Sequence, residues 1–166
     1  NSIYLDHAAF NTLFINGPSI GRSQGHATPK TLGEAQELGF QFMESKLQAK
    51  QIAIAGFSLG GAAVGQAILQ HEFKKEIEYL VIRQATFDRV SNIAKAFFPK
   101  LGSLAEYAIF WTDLEMDNIE ASKKLQKLGI QEVIVQASSR QLAKEETLPS
   151  ISDIAGDGVI PAKASL

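Results

Sequence analysis

Gly56-Phe57-Ser58-Leu59-Gly60-Gly61-Ala62-Ala63 follows the apolar run Gln51-Ile52-Ala53-Ile54-Ala55 and leads into a helical stretch from Ala62 to Gln70. Strand, G-x-S-x-G, helix is the layout of a nucleophile elbow. A serine at such a turn sits in a strained backbone conformation with its hydroxyl pushed outward. Its neighbours must be nearly bare, because side chains would strike the adjoining strand and helix. Gly56 and Gly60 are expected to supply that bareness, and Gly61, Ala62 and Ala63 to let the helix start close to the sheet. The spacing makes Ser58 the candidate nucleophile. The backbone N–H of Leu59 is the candidate oxyanion donor, at a helix N-terminus that favours negative charge. The plainer alternative is a glycine-rich turn capped by a serine.

Outward from this turn, apolar strands alternate with amphipathic helices. Thr12-Leu13-Phe14-Ile15 reads as a strand ended by Asn16-Gly17-Pro18. Thr28-Pro29 opens a helix whose apolar face is predicted at Leu32, Ala35, Leu38, Phe42, Met43 and Leu47, with Thr31 and Glu34 at capping-box spacing. Tyr79-Leu80-Val81-Ile82 is an unbroken apolar run, as in a parallel strand covered on both faces. Residues 88–99 read as a helix ending near Pro99. Asp117 to Leu128 is a helix capped by Asp117 and closed by Gly129, and Gln131-Glu132-Val133-Ile134-Val135 is a strand. Residues 138–156 read as polar loop, and a short helix begins near Ala162. The alternation predicts a parallel α/β sheet in one domain spanning residues 1–166.

Composition narrows the function. The chain has 166 residues, a net charge of −2 and no cysteine. No basic stripe with interleaved aromatics suggests a nucleic-acid partner, and no apolar run is long enough for a transmembrane segment. Without cysteine there is no disulfide and no thiolate metal site, which suits a reducing, cytoplasmic compartment. No cofactor or metal is implied. Gly17 to Ser23 superficially suggests a phosphate loop, but its spacing is one residue short, Arg22 replaces the lysine, and Pro18 removes an N–H. Asp113, Glu115 and Asp117 suit an acidic helix N-terminus better than a metal site. Arg83 and Gln84, at the end of their strand, either line the site or cap the sheet.

A serine nucleophile needs a base and an acid that orients it. Asp157, in Gly156-Asp157-Gly158-Val159-Ile160-Pro161, is the candidate acid, with Asp153 in reserve and an ordinary Asp-Gly turn as the alternative. No histidine follows Asp157; the three present are His7, His26 and His71. His71 falls about 20 Å along the helix from Ser58 at 1.5 Å per residue, too far to serve. His26 lies in a loop on the side of the sheet where sites form, but reads better as a solvated loop residue.

With these residues in place, the chain resembles the α/β-hydrolase superfamily, nearest its BEM46-like serine hydrolases, and is also similar to the chlamydial CHLPS-type proteins. Gly21-Arg22-Ser23-Gln24-Gly25 resembles the stretch after the family's fourth strand. Gly56 to Gly61 resembles its elbow, Phe87-Asp88-Arg89-Val90 the helix after its sixth strand, and Asp157 to Pro161 its acid segment. The resemblance implies a three-layer α/β/α sandwich with a mainly parallel sheet, incomplete in this chain. The family's first three strands are expected before residue 12, and its last strand and catalytic histidine beyond residue 166. It also implies a small-molecule acyl substrate, an ester or thioester, with an acyltransferase or a non-catalytic scaffold as the alternatives.

Overall fold

The structure, a computed structural model, describes residues 11–92 and 114–135. In chain order these form helix α1 (Pro29–Ser45), strand β1 (Gln51–Phe57), helix α2 (Leu59–Gln70), strand β2 (Glu78–Gln84), helix α3 (Asn118–Leu128) and strand β3 (Gln131–Val135). The strands make a parallel sheet in the order β1-β2-β3, with Gln51 opposite Glu78 and Leu80 opposite Gln131. The protein is therefore of the parallel α/β class.

Alternation along the strands sets the core. Ile52 and Ile54 of β1 and Tyr79 and Val81 of β2 point to the same face and are buried. They pack against Phe40 of α1, Val64, Ala67 and Ile68 of α2, and Ala121 and Leu125 of α3. Each fully buried aliphatic side chain, Ile68 and Leu125 among them, stabilises by roughly 1.5–3 kcal/mol. All three helices thus lie on one side of the sheet. The described residues form two of the expected three layers. On the opposite face Ala53, Ala55, Phe57, Val133 and Val135 are exposed, and Leu80 and Ile82 are half-buried.

Local signals place the helices. Thr28 caps α1 in a box with Thr31, Pro29 occupies the first turn, and Asp117 caps α3 by accepting from the amides of Ile119 and Glu120. Gly129, at φ 69°, ends α3 in the left-handed region that suits glycine. The capping box of α1 lies one turn before the predicted Thr31–Glu34 pair.

Two expectations are corrected. Residues 11–17 form no strand; Leu13 and Ile15 instead lean toward Gly39 of α1. An apolar alternation suffices for an extended chain, but a strand also needs a neighbour to complete its ladder. The buried face of α1 is also rotated from prediction. Leu38, Phe42 and Leu47 are exposed, while Leu32, Gly33, Phe40 and Glu44 are buried. Gly33 allows the close approach of α2: a Cβ there would stand 2.8 Å from Gln66 Cβ. The rest of the helix expected over 88–99, the loop expected at 138–156 and the helix expected near Ala162 lie outside the described residues.

Glu44 faces inward because of a buried polar knot at the far end of α2. His71 Nε2 is 2.7 Å from Glu44 Oε1, and His71 Nδ1 is 3.0 Å from Glu37. Tyr79 donates its hydroxyl to Glu44 Oε1 at 2.5 Å, and Lys74 Nζ is 3.0 Å from Glu44 Oε2. Phe40, Phe73 and Tyr79 meet the imidazole edge-on. Burial alone would raise the Glu44 carboxyl, but its bonds to Tyr79, Lys74 and His71 together hold it below the usual range. Its stabilising effect is present above the unfolded value near pH 4.3 and is lost as pH falls through the lower folded value. Burial and the bond to Glu44 push the Tyr79 hydroxyl upward, so its effect persists below about pH 10 and is lost above. Glu44→Gln is expected to cost about 1.5–3 kcal/mol at neutral pH, the worth of a charge-assisted hydrogen bond. Urea unfolding across pH should show its gap to wild type closing below about pH 4.

Candidate functional site

The turn between β1 and α2 has the predicted form. Ser58 sits at φ 51° and ψ −119°, where side chains are rarely found, and is the residue immediately before α2. Its dihedrals match the first central position of a type II′ turn, normally a glycine position. The hydroxyl makes no capping bond to the helix. Instead the backbone holds the residue: Ser58 N–H donates to Gln84 O at 2.9 Å, and Ser58 O accepts from Gly61 N–H at 3.0 Å. Leu59 and Gly60 occupy the first two helical positions, whose N–H groups the helix ladder leaves free.

The glycines divide unexpectedly. A Cβ on Gly56 would lie 2.7 Å from Gly60 O and Gly61 Cα, and one on Gly61 would lie 2.8 Å from Thr86 Cβ. A Cβ on Gly60 would meet nothing within 4 Å. Gly56 and Gly61 are therefore the bare positions that let the strand, helix and neighbouring strand approach; Gly60 is not required for space. Gly56→Ala is expected to destabilise by about 1–3 kcal/mol, since backbone must move. Gly60→Ala should be neutral or stabilising by up to about 1 kcal/mol, as alanine favours helix. Thermal denaturation of the two variants checks the pair.

The other candidates separate. Asp157, Asp153 and His7 lie outside the described residues. His26 is exposed; its backbone carbonyl accepts from Thr31 Oγ1, and its ring makes no hydrogen bond to Ser58. His71 is enclosed between Glu37 and Glu44 at the opposite end of α2, as its sequence distance requires. Arg83 points into the helical layer. It binds Glu132, Asn118 and Ser122 and is fully buried, so it pins β2 to α3 rather than lining a site. Glu115 accepts from the amides of Ser91 and Met116, and Asp117 caps α3 and pairs with Arg89 at 2.6 Å. Among the described residues no group of three or more acidic or histidine side chains is placed to hold a metal. No described helix is long and apolar enough to cross a membrane.

Phe57 and Leu59, on either side of Ser58, are exposed at 61% and 49%. The carboxyl ends of parallel strands are where such sheets bind ligands, and Ser58 stands there. An open cleft of about 710 Å³, lined by Met43, Lys50, Gln51 and Glu78, lies at the opposite, amino-terminal ends of β1 and β2. Sequence reasoning missed Thr86, which is buried and donates its hydroxyl to Ser58 O at 3.0 Å. Only its place just past the strand beside β1 could have marked it.

Fold and turn together define a parallel α/β protein with a strained strand–serine–helix turn at the carboxyl edge of its sheet. The chain belongs to the Chlamydia CHLPS protein family (DUF818), whose model matches residues 5–149. Among solved structures it is similar to a lipase-esterase related protein from Clostridium acetobutylicum ATCC 824, with 20% identity and a TM-score of 0.38. That match covers 65% of this chain and 45% of the other, so the chain spans less than half the length of that relative. Among curated proteins no match is found.

Proposed function

We propose that the protein is a serine hydrolase acting on an ester, thioester or similar acyl substrate, with Ser58 as nucleophile. The observation that carries the reading is the backbone of Ser58, φ 51° and ψ −119°, on a turn whose amide and carbonyl are both tied down. A fold holds a non-glycine residue there against a cost of about 1–3 kcal/mol, which is characteristic of functional sites. Ser58 Oγ would attack the acyl carbonyl, and the oxyanion would be met by Leu59 N–H. Asp157 would orient a histidine that takes the serine proton and returns it to the leaving group. That histidine lies beyond these residues in this reading. The reading also makes the described strands part of a larger sheet. What supports this is β1, which among the described residues is paired along only one edge.

The test is a fluorophosphonate probe on the full-length protein. Single labelling on the peptide that contains Ser58 is expected. A folded protein that takes no label overturns the reading. A non-catalytic binding scaffold is the second reading, favoured by His71, which is locked between two carboxylates and unavailable as base. An unlabelled protein whose full sequence holds no histidine after Asp157 would support it.

A further inference from the structure

We propose that Thr86 is a positioning residue for the oxyanion donor of this site; the inference rests on the nucleophile reading of Ser58. Thr86 Oγ1 donates to the carbonyl oxygen of Ser58 at 3.0 Å. That carbonyl and the N–H of Leu59 belong to one peptide unit. The unit is planar and trans, so its C=O and N–H point in opposite directions. Fixing the oxygen therefore fixes the direction of the Leu59 N–H, which faces away from Thr86 and toward the position a developing oxyanion takes.

The helix also holds this oxygen, but only from its own backbone. Gly61 N–H and Ala62 N–H reach the same oxygen at 3.0 and 3.4 Å, but both belong to α2 and move with it. Thr86 comes from the neighbouring strand's exit and ties the peptide plane to the sheet. The surrounding backbone is shaped for the contact. Ala85, between β2 and Thr86, is itself at φ 48°, an unusual conformation for alanine, and its N–H donates to Val135 O at 2.8 Å. That step takes the chain out of the direction of β2 and anchors it on β3. Gly61 is bare where Thr86 arrives, since a Cβ there would stand 2.9 Å from the threonine hydroxyl oxygen. Gln84 O holds the Ser58 amide at 2.9 Å, so β2 and its exit grip both ends of the strained residue.

The experiment measures fluorophosphonate labelling of the full-length protein, resolving the maximal rate kinact from the half-saturating concentration KI. The phosphoryl oxygen of the probe occupies the oxyanion position. Thr86→Val keeps the shape and removes the hydroxyl; Thr86→Ser keeps the hydroxyl. Thr86→Val is expected to lower kinact on the order of tenfold with KI unchanged, and Thr86→Ser to stay within about twofold of wild type. The Leu59 amide resonance in a ¹⁵N–¹H spectrum should move in the valine variant and stay in place in the serine variant. A valine variant that labels at the wild-type rate overturns the inference alone. So does a serine variant as slow as the valine variant, because packing of the methyl would then be the cause. A wild type that takes no label overturns the nucleophile reading and this inference with it.

Discussion

Ser58→Gly is expected to be more stable than the wild type and inert toward a fluorophosphonate. The two effects have one origin. At φ 51° and ψ −119° the Cβ of Ser58 crowds its own backbone, at a cost of about 1–3 kcal/mol. Glycine has no Cβ and adopts these angles freely. The hydroxyl gives nothing back to the fold, because it makes no capping bond to α2. Against the relief stands the greater freedom of glycine in the unfolded chain, about 0.4–1 kcal/mol. The net gain is roughly 1 kcal/mol, or about 2–4 °C in thermal midpoint for a domain of this size. Ser58→Ala is the control. It keeps the Cβ and the strain, so its midpoint should match the wild type while labelling is equally lost. In a triad enzyme, loss of the nucleophile lowers turnover on the order of 10⁶-fold. A glycine variant with a lower midpoint than the alanine variant would remove the argument that strain is stored at Ser58. Labelling that survives in either variant would place the nucleophile elsewhere.

The elements that could be read from sequence are those whose signals are local. Asp117 and Gly129 flank one helix, and α3 lies between them. The run Gln131–Val135 forms β3 with no residue gained or lost. The serine turn was also legible, because a strand, G-x-S-x-G and a helix are contiguous. What failed depended on partners distant in sequence. The inward face of α1 carries Glu37 and Glu44, which look like solvent residues until His71 arrives from 34 and 27 positions away. Leu38 and Phe42 suggested the opposite face on hydrophobicity alone, yet both are exposed. Residues 12–16 carry a strand pattern, but pairing is a property of the neighbour as much as of the run. Gly56 and Gly60 are symmetric in the motif and unequal in space. Only Gly56 faces backbone that a Cβ would strike. Thr86 carried no signal beyond its place just after β2, since its partner is a carbonyl 28 positions earlier.

Arg83→Ala should be the most destabilising single substitution in the described region, at about 3–5 kcal/mol. The guanidinium is fully buried, and burial lowers its affinity for the proton while Glu132 opposes that loss. Its Nε donates to Glu132 Oε1 at 2.7 Å and its Nη1 to Asn118 Oδ1 at 3.0 Å, and Nη2 reaches Ser122 Oγ. Three elements meet at this side chain: β2 carries Arg83, α3 carries Asn118 and Ser122, and β3 carries Glu132. Truncation leaves a cavity, an unpaired carboxylate with little access to water, and an amide oxygen without its donor. Arg83→Met with Glu132→Gln should recover part of the loss, since it removes the stranded charge and refills much of the volume. Urea unfolding of the single and double variants measures that recovery; a double variant no more stable than Arg83→Ala would show that neither the stranded charge nor the lost volume sets the cost, leaving the lost bonds to Asn118 and Ser122 as its source. The consequence also extends toward Ser58. Asn118 Nδ2 donates to Phe87 O at 2.7 Å, and Phe87 follows Thr86 directly. Loosening Asn118 therefore loosens the segment that holds the Ser58 carbonyl. Leu125→Ala, a buried truncation on the same helix worth about 2–5 kcal/mol, reaches no residue of that segment by a hydrogen bond. At a temperature where both variants are fully folded, Arg83→Ala should label more slowly than Leu125→Ala. Equal labelling rates would confine the Arg83 network to stability.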